Sequence, residues 1–352
     1  MSNGVTRPPI IGISMGDPAG IGPEIIASAL AKPRAHELCR PVVVGDASVM
    51  RKAVGYARTN LSVNAIVDVG RAKFDPATID VFDLRNVDVE TMRLGQVSAM
   101  AGNAAFYAVR KMIELALAGD LDATVTAPIH KEALSLAGHK FPGHTEIFAH
   151  FTNTNDFTMM LAAGTMRVVH VSTHVSLRKA CDAVTKDRVL KVIGLADAGC
   201  KKLGIERPHI GVAGLNPHAS DGGLFGDEER EHIIPAVAEA RAAGMNVDGP
   251  HPPDTFFAKA AGGAYDVCVA MYHDQGHIPV KMRGFKYDAA QGIWTSVEGI
   301  NVSLGMPIIR ASVDHGTAFD QAGQGTASDA SLIDAIEYAS RMAVHGEGQP
   351  GS

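Results

Sequence analysis

The chain has 352 residues, a length that fits two domains of ordinary size. Hydrophobic residues make up 46% and charged residues 20%, which excludes a disordered chain; a net charge of −6 argues against a dedicated nucleic-acid binder. Its 4 cysteines form no CxxC pair and exclude a disulfide framework, while 15 histidines leave room for histidine chemistry.

Strand-like and helix-like runs alternate along the chain. Ile10–Ser14 and Pro41–Gly45 read as strands, each followed by a helix, at Pro23–Ala31 and Ala47–Ala57. Val97–Ala118 reads as a long helix rich in Ala and Met, before a strand at Asp122–Ala127, and Pro142–Glu146 opens another helix. Strands at Phe157–Ala163 and Arg167–Thr173 precede a helix at Lys186–Leu203. A strand at His209–Gly214 precedes a helix at Asp227–Ala243, and a helix near Thr255–Ala261 precedes a strand at Tyr265–Tyr272. Within Phe285–Glu298, the halves around Ala290-Gln-Gly292 predict a hairpin carrying Trp294. A strand ends at Arg310, the last helix covers Asp329–Val344, and His345–Ser352 reads as a frayed tail. The alternation predicts α/β architecture with mostly parallel sheets, whose ligands gather at strand C-termini. No apolar run suits a membrane span or the core of a signal peptide, so a cytoplasmic protein without a membrane partner is expected.

Met15-Gly-Asp-Pro-Ala-Gly-Ile-Gly-Pro-Glu24 joins the first strand to the first helix. Pro23 suits the first helical position, Gly22 can cap it, and the helix N-terminus offers N–H groups to an anion. The run lacks the Gly-Lys-Ser/Thr ending of a P-loop and the third glycine of the dinucleotide fingerprint. A binding turn and a tight structural turn are both open. Ser312–Thr326, a second loop rich in Gly and polar groups, suits wrapping a flat ligand such as adenine.

Three histidines follow predicted strands: His174 in Val171–Leu177, His218 in Gly214–Ser220 and His273 in Met271–His277. Imidazole is the commonest metal ligand, and three of them with an open position describe a catalytic site. His170 and His277 are read as structural. His144 or Thr145 could bond an anionic ligand at the start of their helix, while Lys281 and Arg310 suit a phosphate or carboxylate. Asp254 could cap the helix that follows it, or help hold a metal or a substrate hydroxyl.

The Gly16–Glu24 turn resembles the opening turn of the isopropylmalate and isocitrate dehydrogenases. The Ser312–Thr326 loop is similar to the adenosine-binding loop of the isopropylmalate dehydrogenases, with Phe319 where that family has Pro. With Pro142–Glu146, the His174 turn, Gly214–Gly223, Tyr272–Gly276 and Ser312–Ala318 in order, the chain resembles the 4-hydroxythreonine-4-phosphate dehydrogenases from about Ile10 to Val344. That resemblance implies two α/β/α domains with a cleft between them, 1–130 with 302–352 and 131–301. It implies a homodimer, with His174, His218 and His273 holding a divalent metal at or near the interface; all-imidazole ligation favours Zn or Co over Mg. His144, Thr145, Lys281, Asn301 and Arg310 would bind a small phosphorylated substrate, with Asp254 near the metal. Asp17, Gly20, Gly22, His315, Gly316 and Ala318 would bind NAD, NADP being the variant. The implied reaction is metal-assisted oxidation and decarboxylation of a 4-phosphorylated 3-hydroxy acid, 4-phosphohydroxy-L-threonine first, with Lys281 and Asp274 candidates for the base. Gly16-Asp-Pro18, Ser220–Asp227 and His277 look more like a branch acting on D-threonate or D-erythronate 4-phosphate. They also resemble in part the terephthalate dihydrodiol dehydrogenases. The other classes left open are a phosphate acyltransferase-like enzyme, which would not use NAD, and a non-catalytic binding module.

Overall fold

The structure, a computed structural model, describes residues 7–290 and 292–346, without the side chains of 293–297. The chain lays down β1 (Ile10–Ser14), α1 (Gly22–Leu30), α2 (Pro33–Leu38), β2 (Arg40–Gly45), α3 (Ala47–Tyr56), β3 (Ser62–Ile66) and β4 (Thr78–Asp83). α4 (Ala99–Leu117), β5 (Ala123–Thr126), α5 (Lys131–Leu136) and α6 (His144–Phe151) follow. Next come β6 (Thr158–Ala163), β7 (Met166–His170), α7 (Leu177–Asp182), α8 (Lys186–Lys202), β8 (Ile210–Ala213), α9 (Ile234–Ala242), β9 (Val247–His251) and α10 (Pro253–Ala261). β10 (Val267–Ala270), α11 (His273–Gly284), β11 (Phe285–Asp288), β12 (Ile293–Val297) and β13 (Ile300–Leu304) lead to β14 (Arg310–Val313) and α12 (Ala330–Gly346).

Two compact units result, Met1–Asn155 with Met306–Ser352, and Asp156–Gly305. In the first, the order is β3-β4-β2-β1-β5-β14 and every pairing is parallel. Ile11, Ile13, Val42, Val43, Val44, Ile79, Val81 and Val125 are fully buried there, as expected of a parallel sheet covered on both faces. In the second, the order is β13-β6-β7-β10-β8-β9, with β6 antiparallel to both β7 and β13. Leu161, Val168, Ala213, Phe256, Cys268 and Val280 form its buried core. The architecture is mostly parallel α/β, as the alternation predicts. The expected hairpin is present, β11 pairing antiparallel with β12, although Gln291 of its turn and the side chain of Trp294 lie outside the described residues.

Several boundaries differ from the sequence expectations. The breaks expected after 130 and 301 fall after 155 and 305, because α5 and α6 pack along α4 and β13 pairs with β6. Arg310 opens β14 instead of ending a strand, since Pro307 has no N–H to give a ladder. His273 begins α11, a helix whose pattern is hidden by Gly276 and an internal Pro279. The helix expected at Asp227–Ala243 is a π-helical segment, Glu229–Ile233, running into α9. β3 and β4 escape the periodicity reading: β3 is a half-exposed edge strand, held where Asn64 Nδ2 donates to Asp80 Oδ1 at 2.7 Å. His345 belongs to α12, and 347–352 of the expected tail lie outside the described residues. Among the described residues no helix is long and apolar enough to cross a membrane.

Candidate active site

In the first unit the two glycine-rich segments meet. Ile21 N–H donates to Thr317 O at 3.0 Å, and a Cβ on Gly20 would lie 2.9 Å from that oxygen, so only glycine fits the approach. Gly323 N–H donates to Glu24 Oε2 at 2.7 Å, tying the second loop to the first turn of α1. Ile21, not Gly22, is the cap, and no side chain caps α1, as suits a helix N-terminus that receives an anion. Asp17 is fully buried; its Oδ1 accepts from Ala19 N–H at 2.9 Å, and its Oδ2 has no partner among the described residues. Burial pushes this carboxyl up to about 6, against the pull of the Ala19 bond and His130. The His130 ring stacks on Phe319 at 4.8 Å, and His315 Nδ1 pairs with Gly316 O at 3.1 Å. Burial also lowers the His315 pKa, while Ala318 takes a positive φ of 39° beside the exposed Gly316.

On the same unit's strand ends, Arg310 is buried against β5 and α6. Its Nε and Nη2 donate to Thr126 Oγ1 at 3.3 and 2.9 Å, and its Nη1 donates to Thr145 Oγ1 at 3.2 Å. The guanidinium also lies 5.7 Å over the Phe148 ring. Burial lowers Arg310 to about 9, which leaves it charged at neutral pH. His144, the first residue of α6, is held well below the usual imidazole range by burial and by Arg310; its Nε2 has no partner among the described residues. A buried guanidinium, a neutral imidazole and a helix N-terminus together suit an oxyanion.

The second unit gathers histidines at the ends of β7 and β10. The His174 and His273 rings lie 5.7 Å apart, and His273 stacks on His277 at 3.6 Å and 10°. His170 lies 4.7 Å from His277, and a Cβ on Gly276 would collide with its Nε2. Burial lowers His277 to about 4 and His170 to about 3, so both are neutral backing for the exposed His174 and the half-buried His273. His218 is exposed, its ring 6.4 Å from Phe225, in a turn where His218, Ala219, Ser220, Asp221 and Gly222 have φ from 45° to 72°. Left-handed backbone costs about 1–2 kcal/mol per non-glycine residue, so neighbours must hold this turn. Among the described residues no three His, Cys, Asp or Glu side chains stand close enough to hold a metal.

The remaining predicted residues of this unit are spread out. Asp274 accepts from, or shares a proton with, His273 Nδ1 at 2.6 Å, and Lys281 Nζ lies 4.9 Å over the Phe285 ring. Asn301 sits on β13 with its Nδ2 against Met159 Sδ and its Oδ1 without a partner among the described residues. Asp254 is exposed in the first turn of α10, where its Oδ1 accepts from Thr255 N–H at 3.0 Å. Sequence reasoning missed Thr126, Glu229 and Gln275. Thr126 stands as the last residue of a strand, the one signal that could have marked it.

Comparison with known proteins gives the family and the fold. The profile of a family described as "Pyridoxal phosphate biosynthetic protein PdxA" matches residues 37–339. A D-threonate 4-phosphate dehydrogenase of Salmonella typhimurium is 47% identical over 95% of this chain and 98% of its own. A crystal structure of 4-hydroxythreonine-4-phosphate dehydrogenase from Klebsiella pneumoniae superposes with a TM-score of 0.82 at 46% identity, covering 95% of this chain and 99% of that one. A terephthalate 1,2-cis-dihydrodiol dehydrogenase from Burkholderia xenovorans gives 0.66 at 32% identity, covering 95% and 98%.

Proposed function

Because the chain belongs to the PdxA family of pyridoxal phosphate biosynthetic proteins and its relatives are dehydrogenases, we propose that this oxidoreductase uses NAD to oxidise and decarboxylate a 4-phosphorylated 3-hydroxy acid. The observation that carries the substrate class is the buried Arg310, with Thr126, Thr145 and His144 around it, a seat for a phosphate. The hydroxyl carbon loses hydride to the nicotinamide and its oxygen loses a proton, giving a ketone β to the carboxylate. The bond to that carboxylate then breaks, carbon dioxide leaves, and its electron pair becomes an enolate that is reprotonated. Lys281 or Asp274 takes the hydroxyl proton. The close contact of Gly20 with Thr317 supports the meeting of Asp17, Gly20 and Gly22 with His315, Gly316 and Ala318 as the NAD cradle.

D-threonate 4-phosphate is the favoured substrate, on the name of the Salmonella relative. The name of the Klebsiella structure favours 4-phosphohydroxy-L-threonine, which carries an amino group where threonate carries a hydroxyl. The imidazole pair His174–His273, with His218 as the third imidazole, suits Zn or Co at or near the interface of a homodimer. The exposed apolar Val175, Leu177, Leu224, Phe225, Ile278 and Met282 flank the His174, His218 and His273 segments, as a second copy would require. When bound, such a cation supplies Lewis-acid stabilisation of the alkoxide and enolate. The test is a panel of D-threonate 4-phosphate, D-erythronate 4-phosphate, 4-phosphohydroxy-L-threonine and an unphosphorylated dihydrodiol dicarboxylate, each with NAD or NADP and Zn, Co or Mg. Reduction of NAD by the first compound above the rest is expected. No reduction with any phosphorylated acid would overturn the proposal in favour of an acyltransferase or a binding module.

A further inference from the structure

We infer that Glu229 is a positioning residue, which holds the left-handed turn of His218 in shape and acts through that histidine. Its carboxylate is 1% exposed, and its partners in the turn are N–H groups. Oε1 accepts from the backbone N–H groups of Leu215 and Asn216, both at 2.8 Å, and Oε2 accepts from Asn216 Nδ2 at 2.8 Å. All three bonds land on two consecutive residues, just upstream of the turn that starts at His218. A buried carboxylate is costly unless its hydrogen bonds are made, so the cost of desolvation is offset only while the turn stays in place. The turn adds bonds of its own, among them Ala219 N–H to Asn216 O at 3.1 Å, Phe225 N–H to Ser220 O at 3.2 Å and Leu224 N–H to Ser220 O.

Gln275 joins this clamp to the His273 segment. Its Oε1 accepts from Met271 N–H at 2.7 Å, and its Nε2 donates to Gly214 O at 2.8 Å. Gly214 precedes the two clamped residues, and Met271 lies two positions before His273. One buried amide thus sets the spacing between the two histidine-bearing strand ends. Glu229 also opens the π-helical segment, a register change that recurs at functional sites.

This inference rests on the reading of His218 as a site residue, and the experiment separates the two. In the full-length protein with its metal, amide exchange at Leu215 and Asn216 reads the clamp directly, whatever His218 does. E229A should expose both amides to fast exchange and lower kcat/KM by about 10–100-fold, the range for partners that orient a ligand. E229Q, which keeps one oxygen for the two backbone donors, should retain the protection and lose less. If Glu229 acts through His218, E229A/H218A should match H218A within about twofold, whereas independent sites would multiply. Should E229A fail to fold, E229D withdraws the carboxylate by one methylene and should give the same pattern at smaller amplitude. Unchanged exchange at Leu215 and Asn216 in E229A or E229D, or a double variant showing multiplied losses, would overturn the inference. Wild-type turnover by H218A would instead sink its role in the site, with the exchange result still deciding the clamp.

Discussion

The Arg310 pocket and the histidine segments stand on strand ends of different units, and they are backed in different ways. Arg310 is 3% exposed, and its guanidinium donates to Thr126 and Thr145 of its own unit. His174 and His218 are exposed, and no metal-holding trio forms among the described residues. On the proposed function the phosphate seat is built within one chain, whereas the histidine site lies at or near the interface of a homodimer, beside the exposed apolar residues of the same segments. The difference predicts that one region depends on protein concentration and the other does not.

The sharpest break in this contrast is H273A. It should abolish stoichiometric metal binding and lower turnover by on the order of 10³ or more, since a Lewis acid supplies several kcal/mol of transition-state stabilisation. Metal content by plasma emission and initial rates check it, and a variant with full metal content would remove His273 from the site. Turnover per chain should also fall on dilution if the site is shared between copies.

Next in size is the buried carboxyl of Asp17, in the same unit as Arg310. Its pKa is raised from 3.8 to about 6 by burial. The unfolded chain therefore ionises first as pH rises. The stability from the neutral carboxyl is fully present below pH 3.8 and is lost as pH climbs to about 6. The loss is at most about 3 kcal/mol, at 1.36 kcal/mol per pKa unit. D17N keeps an oxygen for Ala19 N–H and should remove this pH dependence. Urea unfolding at pH 4 and pH 8 should show the two proteins close together at the lower pH and D17N the more stable at the higher. Parallel curves would mean that Asp17 is solvated.

What the sequence made legible follows physical range. β1 was readable to the residue, and α1, α3, α4, α8, α10 and α12 to within two, because burial and capping leave local signals such as Ser98 and Thr185, whereas the short α2, α5 and α7 were not read at all. His174, His218 and His273 share one local signal, each standing a few residues after a strand. Their backing has no such signal: that His277 stacks on His273, while Glu229 reaches back to Leu215 and Asn216, depends on side-chain directions no periodicity carries. Thr126 and Arg310 are likewise 184 positions apart and meet only because β5 and β14 pair. His273 as a helix start was obscured by Gly276 and Pro279, and Gly276 is the residue that lets the helix pack on His170.

The smallest of the three effects tests the Arg310 side of the contrast. R310K keeps a positive charge but replaces a planar fork with a point donor that cannot hold Thr126 and Thr145 together. Losing charge-assisted bonds of this kind costs about 1.5–3 kcal/mol, or roughly 10–100-fold in kcat/KM. If Arg310 binds phosphate equally in the ground and transition states, the loss should fall on KM with kcat little changed. The defect should not deepen on dilution, unlike that of the histidine region, and it should vanish for a substrate lacking the phosphate. A fall in kcat at unchanged KM would mean that Arg310 serves the reacting centre instead. The boundary between an anchor complete in one chain and a centre shared by two would then have to be redrawn.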